Sequence, residues 1–366
     1  MTAAQTGPAV IASPPLDGMS TSLFVQTRCD SCLGITELMS KVGIGVVYTF
    51  NGNSRSNAFN RTRMAICHTR DNVDAPDILV DAARYSGKNR IPASRGISPE
   101  WISHQRGLGL PWALTDSGYC AAGDREGLRS LLRDASALPG RVVVVLALAH
   151  EWLTDDADLL RAEIDEQDHP VAIVLEHPED PCGKTGVVPG LVHVLGADAP
   201  VGLLRADTSA LGALAHGASI GAVGTTSGLR HLFPVSDGHG RTPPDALVVP
   251  DLLTYIHIAK VRDALVADPH LDAWACDCAF CREHGDGIAW IAASPAPGLP
   301  AFQHSAASLA RIGRTLAAAD DPARAWAGMC RQAQAAHFTI IVNGKEWRPK
   351  PFLRRWAELT PTRTGV

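Results

Sequence analysis

Short apolar segments alternate with helical patterns from residue 77 onward, and this alternation limits the possible folds more than any other feature of the sequence. The apolar segments are mostly continuous, as at 141–150 and 170–176, which is typical of strands covered on both faces. The predicted strands are 42–50, 77–81, 111–116, 141–150, 170–176, 191–195, 201–204 and 219–223. About seven or eight such units in roughly 200 residues favour a closed (β/α)8 TIM barrel over an open parallel sheet.

Helix-start signals and apolar patterns place the connecting elements. Ser98 and Pro99 have the residue types of an N-cap and a first helical position. Helices are predicted after 98 and at 124–138 and 155–166 in the barrel, then at 251–267, 304–319 and 321–336, followed by a strand at 338–342. The expected organisation is a leader at 1–20, a barrel at 21–270, a small subdomain at 271–320 and a C-terminal segment at 321–366.

Three of the nine cysteines lie within six residues, in a C-x-C-x-x-C arrangement formed by Cys276, Cys278 and Cys281. His304, which follows Cys281 by 23 residues, supplies a fourth ligand for a tetrahedral zinc ion, although His270 and His284 compete for that position. Four protein ligands leave no open coordination position. The pattern therefore predicts one structural Zn²⁺ per chain that fastens a loop to a helix.

Composition excludes several classes of protein. The net charge of −5 argues against indiscriminate coating of nucleic acid, and no apolar segment reaches the roughly 18 to 20 residues that a membrane helix needs. Residues 1–20 lack the pattern of a signal peptide and are rich in Ala, Pro, Ser and Thr, so we expect a disordered leader. The zinc-type cysteine spacing favours the reducing cytoplasm.

Two segments concentrate positive charge. The segment 345–356 carries five cations and one acid together with Trp347, Phe352 and Trp356. It suits either a nucleic-acid surface or a C-terminal helix that packs its aromatic rings inward. A second basic cluster lies in an expected loop and comprises Arg55, Arg61, Arg63 and Arg70. A weaker possibility for a second metal site, or for a redox pair, involves Cys29, Cys32, Cys67 and His68.

In a TIM barrel, chemistry is carried by residues at the C-terminal ends of the strands. The polar residues predicted there are Asp81, Asp116, His150, Glu176, His177 and Asp207. Asp116 is followed by a small hydroxyl residue and a glycine, so a planar ligand can approach the backbone closely. Its carboxylate can accept hydrogen bonds from a guanine-like ring or act as a general base, or it can simply cap the next turn. No G-x-G-x-x-G or P-loop motif indicates a nucleotide cofactor.

The residues Leu114-Thr115-Asp116-Ser117-Gly118-Tyr119 resemble the L-T-D-S-G-G-[FY] signature of the tRNA-guanine transglycosylases. The order and spacing of the three cysteines and His304 are similar to the zinc motif of the same family, and 77–87 resembles, more loosely, the strand that precedes the signature. The resemblance covers about residues 75–320. It implies a zinc-containing (β/α)8 barrel, commonly a homodimer, that exchanges a guanine in tRNA for a free 7-deazaguanine base. Divergent members of the superfamily act on DNA.

The resemblance implies roles for several residues of this chain. Asp116 would recognise the purine and move its proton, and the substrate-binding positions would be Ser117, Gly118, Tyr119 and His150. The aspartate that attacks the anomeric carbon in the family falls on Gly221 or Ala222, neither of which has a carboxylate.

Three explanations remain open for the missing nucleophile. Asp207 or Glu176 replaces it, Asp116 is the sole catalytic carboxylate, or the chain is a non-catalytic subunit that binds nucleic acid or a partner protein. An unrelated metal-dependent hydrolase would need a strand-end ligand cluster with an open metal position, and no H-x-H pattern occurs on a first strand.

Overall fold

The computed structural model describes residues 10–29, 32–50, 55–235, 244–285 and 287–359, with the side chains of 32–33 and 55–58 excepted. Its core is a curled parallel sheet with helices on the outside. The strands are β1 (Leu23–Arg28), β2 (Gly45–Thr49), β3 (Ile78–Asp81), β4 (Ala113–Leu114), β5 (Tyr119–Cys120), β6 (Val142–Ala149), β7 (Val171–Glu176), β8 (Val201–Ala206) and β9 (Gly221–Gly224).

The strand order identifies a (β/α)8 barrel. Hydrogen-bonded neighbours run β3-β2-β1-β9-β8-β7-β6-β4, and β5 also pairs with β6, so β4 and β5 together occupy the fourth barrel position. The first and last strands, β1 and β9, are paired in parallel, so the sheet curls round and brings β3 and β4 to its two ends. The ladder is interrupted between β3 and β4, where no strand pairing occurs in the described part of the chain. The predicted fold class is confirmed.

Helices follow most barrel strands and continue beyond the barrel. They are α1 (Cys32–Val42), α2 (Arg55–Asn72), α3 (Pro99–Gly107), α4 (Arg125–Ser136), α5 (Glu151–Thr154), α6 (Ala157–Asp165), α7 (Val187–Leu195), α8 (Ser209–Ala215), α9 (Ile258–Ala267), α10 (Ala289–Ala293), α11 (Gly298–Ala317), α12 (Pro322–Thr339) and α13 (Pro351–Ala357). Among the described helices, none combines the length and the apolar character needed to cross a membrane.

Several elements differ from the sequence prediction. The segment 191–195 is the end of helix α7 and not a strand, because its apolar residues continue a helical spacing that begins at Val187. Helix α9 begins at Ile258, later than predicted, since the preceding residues form the strand β11 (Thr254–His257), which pairs with β10 (Ala246–Val249). Helix α12 extends to Thr339 and shortens the predicted strand at 338–342 to β12 (Ile341–Val342), the partner of β13 (Lys345–Glu346).

The two basic segments also differ from expectation. The cluster 55–70 was expected in a loop but lies on helix α2, where Arg70 donates hydrogen bonds to the carbonyls of Leu108 and Gly109. In the C-terminal segment, Trp347, Phe352 and Trp356 are all buried, with Trp356 fully enclosed. Of the two alternatives for this segment, the structure therefore supports aromatic rings packed inward, and those three rings are not available to stack on bases.

The residues that precede the barrel are packed against it as far as they are described. Although 1–20 was expected to be a disordered leader, Leu16 and Met19 are buried in the core. The Ser20 hydroxyl and backbone N–H donate to Oδ2 of Asp77 at 2.7 and 2.8 Å. The rest of the predicted leader, residues 1–9, lies outside the described residues.

Candidate functional site

The four predicted metal ligands converge at one point. Nδ1 of His304 lies 3.6 Å from Sγ of Cys276, 3.6 Å from Sγ of Cys278 and 3.2 Å from Sγ of Cys281. All four ligand atoms lie within 4.8 Å of one another. A tetrahedral zinc ion with bonds of about 2.3 Å to sulfur and about 2.0 Å to nitrogen requires ligand atoms roughly 3.5 to 3.8 Å apart. The cluster can therefore hold a metal ion in a closed four-ligand site.

Surrounding groups orient these ligands. Nε2 of His304 lies 2.7 Å from the carbonyl oxygen of Val248 on β10, which leaves Nδ1 for the metal when Nε2 carries the proton. The neighbouring Ser305 hydroxyl accepts the Val248 N–H at 2.9 Å, and Trp290 Nε1 donates to Sγ of Cys281 at 3.4 Å. The centre thus fastens the cysteine loop and the β10–β11 hairpin to α11.

One detail of the prediction is corrected. His304 was expected at the start of a helix, but α11 begins six residues earlier at Gly298, so His304 projects from its second turn. The competing candidate His284 stacks on Trp290 instead, with ring centroids 3.8 Å apart. A second metal cluster is not found within the part of the chain that the structure describes. The Cys32 side chain of the alternative Cys29 site lies outside that part.

Asp116 lies directly after β4, beside the interrupted ladder. Its Oδ1 accepts the backbone N–H of Ser98 at 2.7 Å, and its Oδ2 forms an ion pair with Arg84. The carboxylate is 3% exposed, and burial raises its pKa above the usual range, while the Ser98 N–H and Arg84 oppose that shift. Two bonded oxygens still leave lone pairs for a ligand.

A small cavity with aromatic walls adjoins Asp116. It has a volume of about 130 Å³ and is lined by Phe50, Phe59, Ala82, Arg84, Ser98, Glu100, Trp101 and Asp116. The rings of Phe59 and Trp101 are stacked with centroids 5.8 Å apart, and Phe50 lies edge-on to Trp101 at 5.6 Å. A site with aromatic faces, one carboxylate and one guanidinium suits a flat, hydrogen-bonding ring system. We call it the aromatic cavity.

Side chains of α3 replace the missing strand pairing beside this cavity. The amide of Gln105 both donates to the carbonyl of Leu114 at 2.8 Å and accepts its N–H at 3.0 Å. Trp101 Nε1 donates to the same carbonyl at 2.8 Å. Helix α3 therefore positions Leu114, and with it Asp116, while its aromatic residue forms a wall of the cavity.

Ser117 and Gly118 support the strand and do not line the aromatic cavity. The Ser117 hydroxyl is buried and bonds to Thr115 Oγ1 at 2.7 Å. Gly118 lies against the backbone of the preceding loop, where an added Cβ would come within 2.2 Å of the carbonyl oxygen of Pro92. Ser117 and Gly118 therefore do not contact the aromatic cavity directly. They can affect a ligand there only by positioning Asp116.

Tyr119 links the signature to Glu176 at the end of β7. The Tyr119 hydroxyl donates to Oε1 of Glu176 at 2.5 Å, while Arg90 forms an ion pair with Oε2. The Arg90 guanidinium also lies over the Tyr119 ring, 3.8 Å from its centroid. Burial and the neighbouring Glu176 raise the pKa of Tyr119, so its phenol is a proton donor at neutral pH.

The two histidines predicted at strand ends lie together. His150 follows β6 and His177 follows β7, and their rings meet edge to face with centroids 4.8 Å apart. His150 Nδ1 lies 3.1 Å from Oε2 of Glu151. Burial, opposed by the Glu179 N–H, lowers the pKa of His177. His150 does not border the aromatic cavity, and its role in substrate binding stays a prediction.

Asp207, after β8, forms a buried carboxylate pair with Asp180. Burial raises the pKa of both groups, and the charge of Asp207 raises that of Asp180 further. Oδ1 of Asp207 accepts the N–H of Ser209 at 3.0 Å, whereas Oδ2 of Asp180 is buried without a partner among the described groups. The pair is suited to sharing a proton.

The remaining strand-end candidate, Asp81, is fully enclosed in the barrel. Its carboxylate accepts hydrogen bonds from Gln26, Tyr85 and the N–H of Ala83 at 2.6 to 2.8 Å. Burial raises its pKa, against attraction to Arg205. These contacts make Asp81 a fixed part of the barrel interior. At the position expected for the family nucleophile, Gly221 and Ala222 begin β9 and are buried.

Comparison with known proteins finds only weak structural similarity to enzymes of several different activities. No family model and no curated protein matches the chain. A mutant tryptophan synthase α-subunit from Pyrococcus furiosus is 10% identical, with a TM-score of 0.36 over 56% of this chain and 86% of its own. A type I 3-dehydroquinate dehydratase from Clostridium difficile is 8% identical, with a TM-score of 0.38 over 58% and 86%. The N-terminal domain of a putative aldolase from Bacteroides vulgatus is 12% identical, with a TM-score of 0.38 over 80% and 95%. Similarities this weak carry no argument about activity.

Residues that the sequence did not single out complete the barrel mouth. Arg84 and Arg90 contact the predicted carboxylates, and Phe50, Phe59 and Trp101 form the aromatic cavity. Arg84 and Arg90 follow a predicted strand end, which is a usable signal. The three aromatic residues come from separate elements, and nothing in their local sequence indicates that they meet.

Proposed function

We propose that the protein is a base-exchange transglycosylase that replaces a guanine in tRNA or DNA with a 7-deazaguanine base. The observation that supports this most is the position of Asp116 in the wall of the aromatic cavity. The rings of Phe50, Phe59 and Trp101 line the cavity and favour a flat ligand, and base–aromatic stacking contributes about 1 to 3 kcal/mol per base. The Asp116 carboxylate can accept hydrogen bonds from the ring N–H groups of a guanine. A purine that has no such N–H groups would not form these bonds.

Asp116 and Arg84 have different roles in this reaction. Arg84 holds the Asp116 carboxylate in place through their ion pair and also borders the cavity, where its guanidinium can donate to a ring oxygen. The raised pKa of Asp116 brings this carboxylate closer to proton transfer at neutral pH. Protonated Asp116 gives its proton to the outgoing base, and the carboxylate that remains accepts a ring N–H of the incoming base and takes a proton from it.

Glu176 is the carboxylate that we assign to attack on the anomeric carbon. Its two oxygens are oriented by Tyr119 and Arg90, and Tyr119 is three residues from Asp116. An oxygen of Glu176 forms a bond to C1′ as the bond from C1′ to the departing base breaks, and the incoming base then displaces Glu176. Asp207 is less suited, because burial raises its pKa beside Asp180 and favours its protonated form.

Zinc is the metal that the Cys276, Cys278, Cys281 and His304 cluster fits best. Three thiolates and one imidazole in a closed tetrahedral arrangement are typical of structural zinc. The ion would keep the β10–β11 hairpin and α11 together and take no part in base exchange.

The nucleic acid has a basic surface to bind outside the cavity. An open groove of about 1240 Å³ is lined by four cations, Lys260, Lys345, Arg348 and Lys350, and by two acids, Asp263 and Glu346. Its cations would contact phosphates, and the exposed ring of Phe338 in its wall is available to a base. The target base must leave its stack to reach Asp116. A homodimer remains an expectation from the family resemblance.

The test is incorporation of radiolabelled guanine or 7-deazaguanine into tRNA and into duplex DNA. The wild-type protein should label one of the two polymers. Asp116→Asn should lower incorporation by roughly 100-fold or more, which is the scale of general acid–base catalysis. Asp124→Asn, which alters an N-cap carboxylate on α4, is the matched control and should label the polymer normally.

The second candidate function is a non-catalytic subunit that binds nucleic acid or a partner protein. It is favoured by the absence of a carboxylate at Gly221 and Ala222 on β9. Binding of the polymer without incorporation of label into either substrate would support this function and refute the transglycosylase. Full activity of Glu176→Gln would refute our choice of nucleophile alone.

A further inference from the structure

A buried arginine at the end of β8 has no carboxylate in direct contact among the described residues. Arg205 is 7% exposed, and its Nε and Nη1 have no hydrogen-bond partner among the described residues. Only Nη2 is bonded, donating to the carbonyl of Gly228 at 3.0 Å. A buried cation with two unused donors is costly, so it indicates a ligand that supplies acceptor oxygens.

Local backbone geometry directs Arg205 into the barrel mouth. The pairing of β8 with β9 is irregular between Leu203 and Ala206, and Arg205 has a φ of 48°, which is a left-handed conformation unusual for arginine. Its N–H donates to Oε1 of Gln26 at 2.8 Å, which holds this conformation. Strained residues that the surrounding structure maintains are common at ligand sites.

The neighbouring carboxylate does not neutralise Arg205 by direct contact. Asp81 attracts Arg205 but directs its oxygens to Gln26, Tyr85 and the Ala83 N–H. Among the described residues no carboxylate bonds to Nε or Nη1 of Arg205, so both nitrogens can donate to the oxygens of an anion.

A second residue with a buried, unpartnered nitrogen lies within the electrostatic reach of Arg205. His231 Nε2 is buried and unbonded among the described residues. Burial, together with the charges of His177, Arg205 and Arg230, lowers the pKa of His231 to about 4. At neutral pH its ring is therefore uncharged, and Nε2 can donate one hydrogen bond to an anion without adding charge.

The position of Arg205 relates it to the aromatic cavity. Its guanidinium carbon lies 5.5 Å from the centroid of the Tyr85 ring. Ala82 and Arg84, which precede Tyr85 in the same segment, line the aromatic cavity. Arg205 thus lies over a ring of the same segment that lines the aromatic cavity, and this suggests a base in the cavity and its phosphate at Arg205.

We propose that Arg205 and His231 bind a phosphate group, and that this group belongs to the nucleotide whose base occupies the aromatic cavity. The second part rests on the proposed function, whereas the first does not. A phosphate supplies several acceptor oxygens to the unused nitrogens of Arg205, and loops after the seventh and eighth strands frequently receive phosphates in (β/α)8 barrels.

The experiment measures binding of inorganic phosphate by calorimetry to the full chain and to Arg205→Met. The methionine variant should bind phosphate at least about tenfold more weakly, because charge-assisted hydrogen bonds are lost. Its melting temperature without phosphate should fall, since Arg205 also attracts the buried carboxylate of Asp81, so phosphate affinity is the deciding readout. An arginine with a merely structural role would leave the phosphate affinity of the folded variant unchanged, and that result would overturn the proposal.

Arg161→Met is the matched control. Arg161 donates to the carbonyl of His193 at 3.4 Å at the end of α7, so its loss should lower stability and leave phosphate binding intact. If Arg205→Met does not fold, His231→Gln decides, because it should weaken phosphate binding in a folded protein. Equal phosphate affinity in His231→Gln and in the wild type would then refute the site.

A second arm identifies the source of the phosphate. Guanosine 5′-monophosphate should bind more tightly than guanosine, and Arg205→Met should abolish that difference. An absence of the difference in the wild type would overturn the nucleotide assignment. The two proposals fail separately: a wild-type protein that binds phosphate through Arg205 but incorporates no label refutes only the transglycosylase. Normal label incorporation by Arg205→Met, with unchanged KM, would remove the phosphate site and leave the reaction intact.

Discussion

Replacement of Cys281 tests the metal centre against an internal control. Cys281 and Cys330 are both fully buried, but only Cys281 belongs to the ligand cluster. Cys330→Ser buries a hydroxyl in place of a thiol and should cost about 1 to 3 kcal/mol of unfolding free energy. Cys281→Ser has that cost and also removes one of four metal ligands.

The additional cost follows from linkage between metal binding and folding. Loss of a group that only orients a metal ligand weakens metal binding by about 10- to 100-fold. Loss of a ligand itself should therefore weaken metal binding by more than about 100-fold. A 100-fold loss lowers the unfolding free energy by about 2.7 kcal/mol when the metal is in excess. We therefore expect Cys281→Ser to be less stable than Cys330→Ser by more than about 2.7 kcal/mol.

The assay combines metal analysis with denaturant unfolding in the presence and absence of a chelator. The wild type and Cys330→Ser should each contain one zinc ion per chain and lose stability when the chelator is added. Cys281→Ser should contain much less zinc and respond little to the chelator. The centre is not a metal site if the purified wild type contains no metal, or if the chelator lowers its stability no more than that of Cys281→Ser.

Two further predictions concern the barrel mouth. Gly118→Ala should lower stability by about 2 kcal/mol or more and disturb the base exchange proposed above, because the new Cβ would come within 2.2 Å of the Pro92 carbonyl. A melting temperature equal to that of the wild type would contradict this. The pKa of Asp180 is raised by burial and a neighbouring carboxylate, so the folded state keeps a proton that the unfolded state releases near pH 4. Stability should therefore fall as pH rises from about 4 through the folded pKa, and thermal melts of Asp180→Asn between pH 4 and 8 should show a weaker decline.

Buried strands were predictable where the length and composition of an apolar segment fit a strand and no helical spacing extended beyond it. β6 and β7 lie within the predicted segments 141–150 and 170–176, since long runs of valine and leucine fit a strand covered on both faces. The segment 191–195 has the same composition, but its apolar residues extend a helical spacing that starts at Val187. A short apolar run does not distinguish a strand from a buried helix.

The metal centre was predictable because its chemistry is local. Cys276, Cys278 and Cys281 are close in sequence and have few other uses in so polar a loop. The aromatic cavity was not predictable, because Phe50, Phe59 and Trp101 come from three elements whose approach depends on the whole barrel. Arg205 was missed for a different reason, since its direction depends on an irregular strand pairing that leaves no mark in the sequence.

The interrupted ladder between β3 and β4 has a mechanical consequence. Everywhere else around the ring, backbone hydrogen bonds hold adjacent strands at about 4.8 Å, so the circumference is fixed. At this one position Gln105 and Trp101 bond to Leu114 through rotatable side chains. Widening there would break no regular strand pair, only the isolated bridge between Pro92 and Tyr119 and the side-chain bonds of α3. This side of the barrel can therefore change width at the least cost, and in the proposed reaction a flat ring would enter and leave here, beside Asp116.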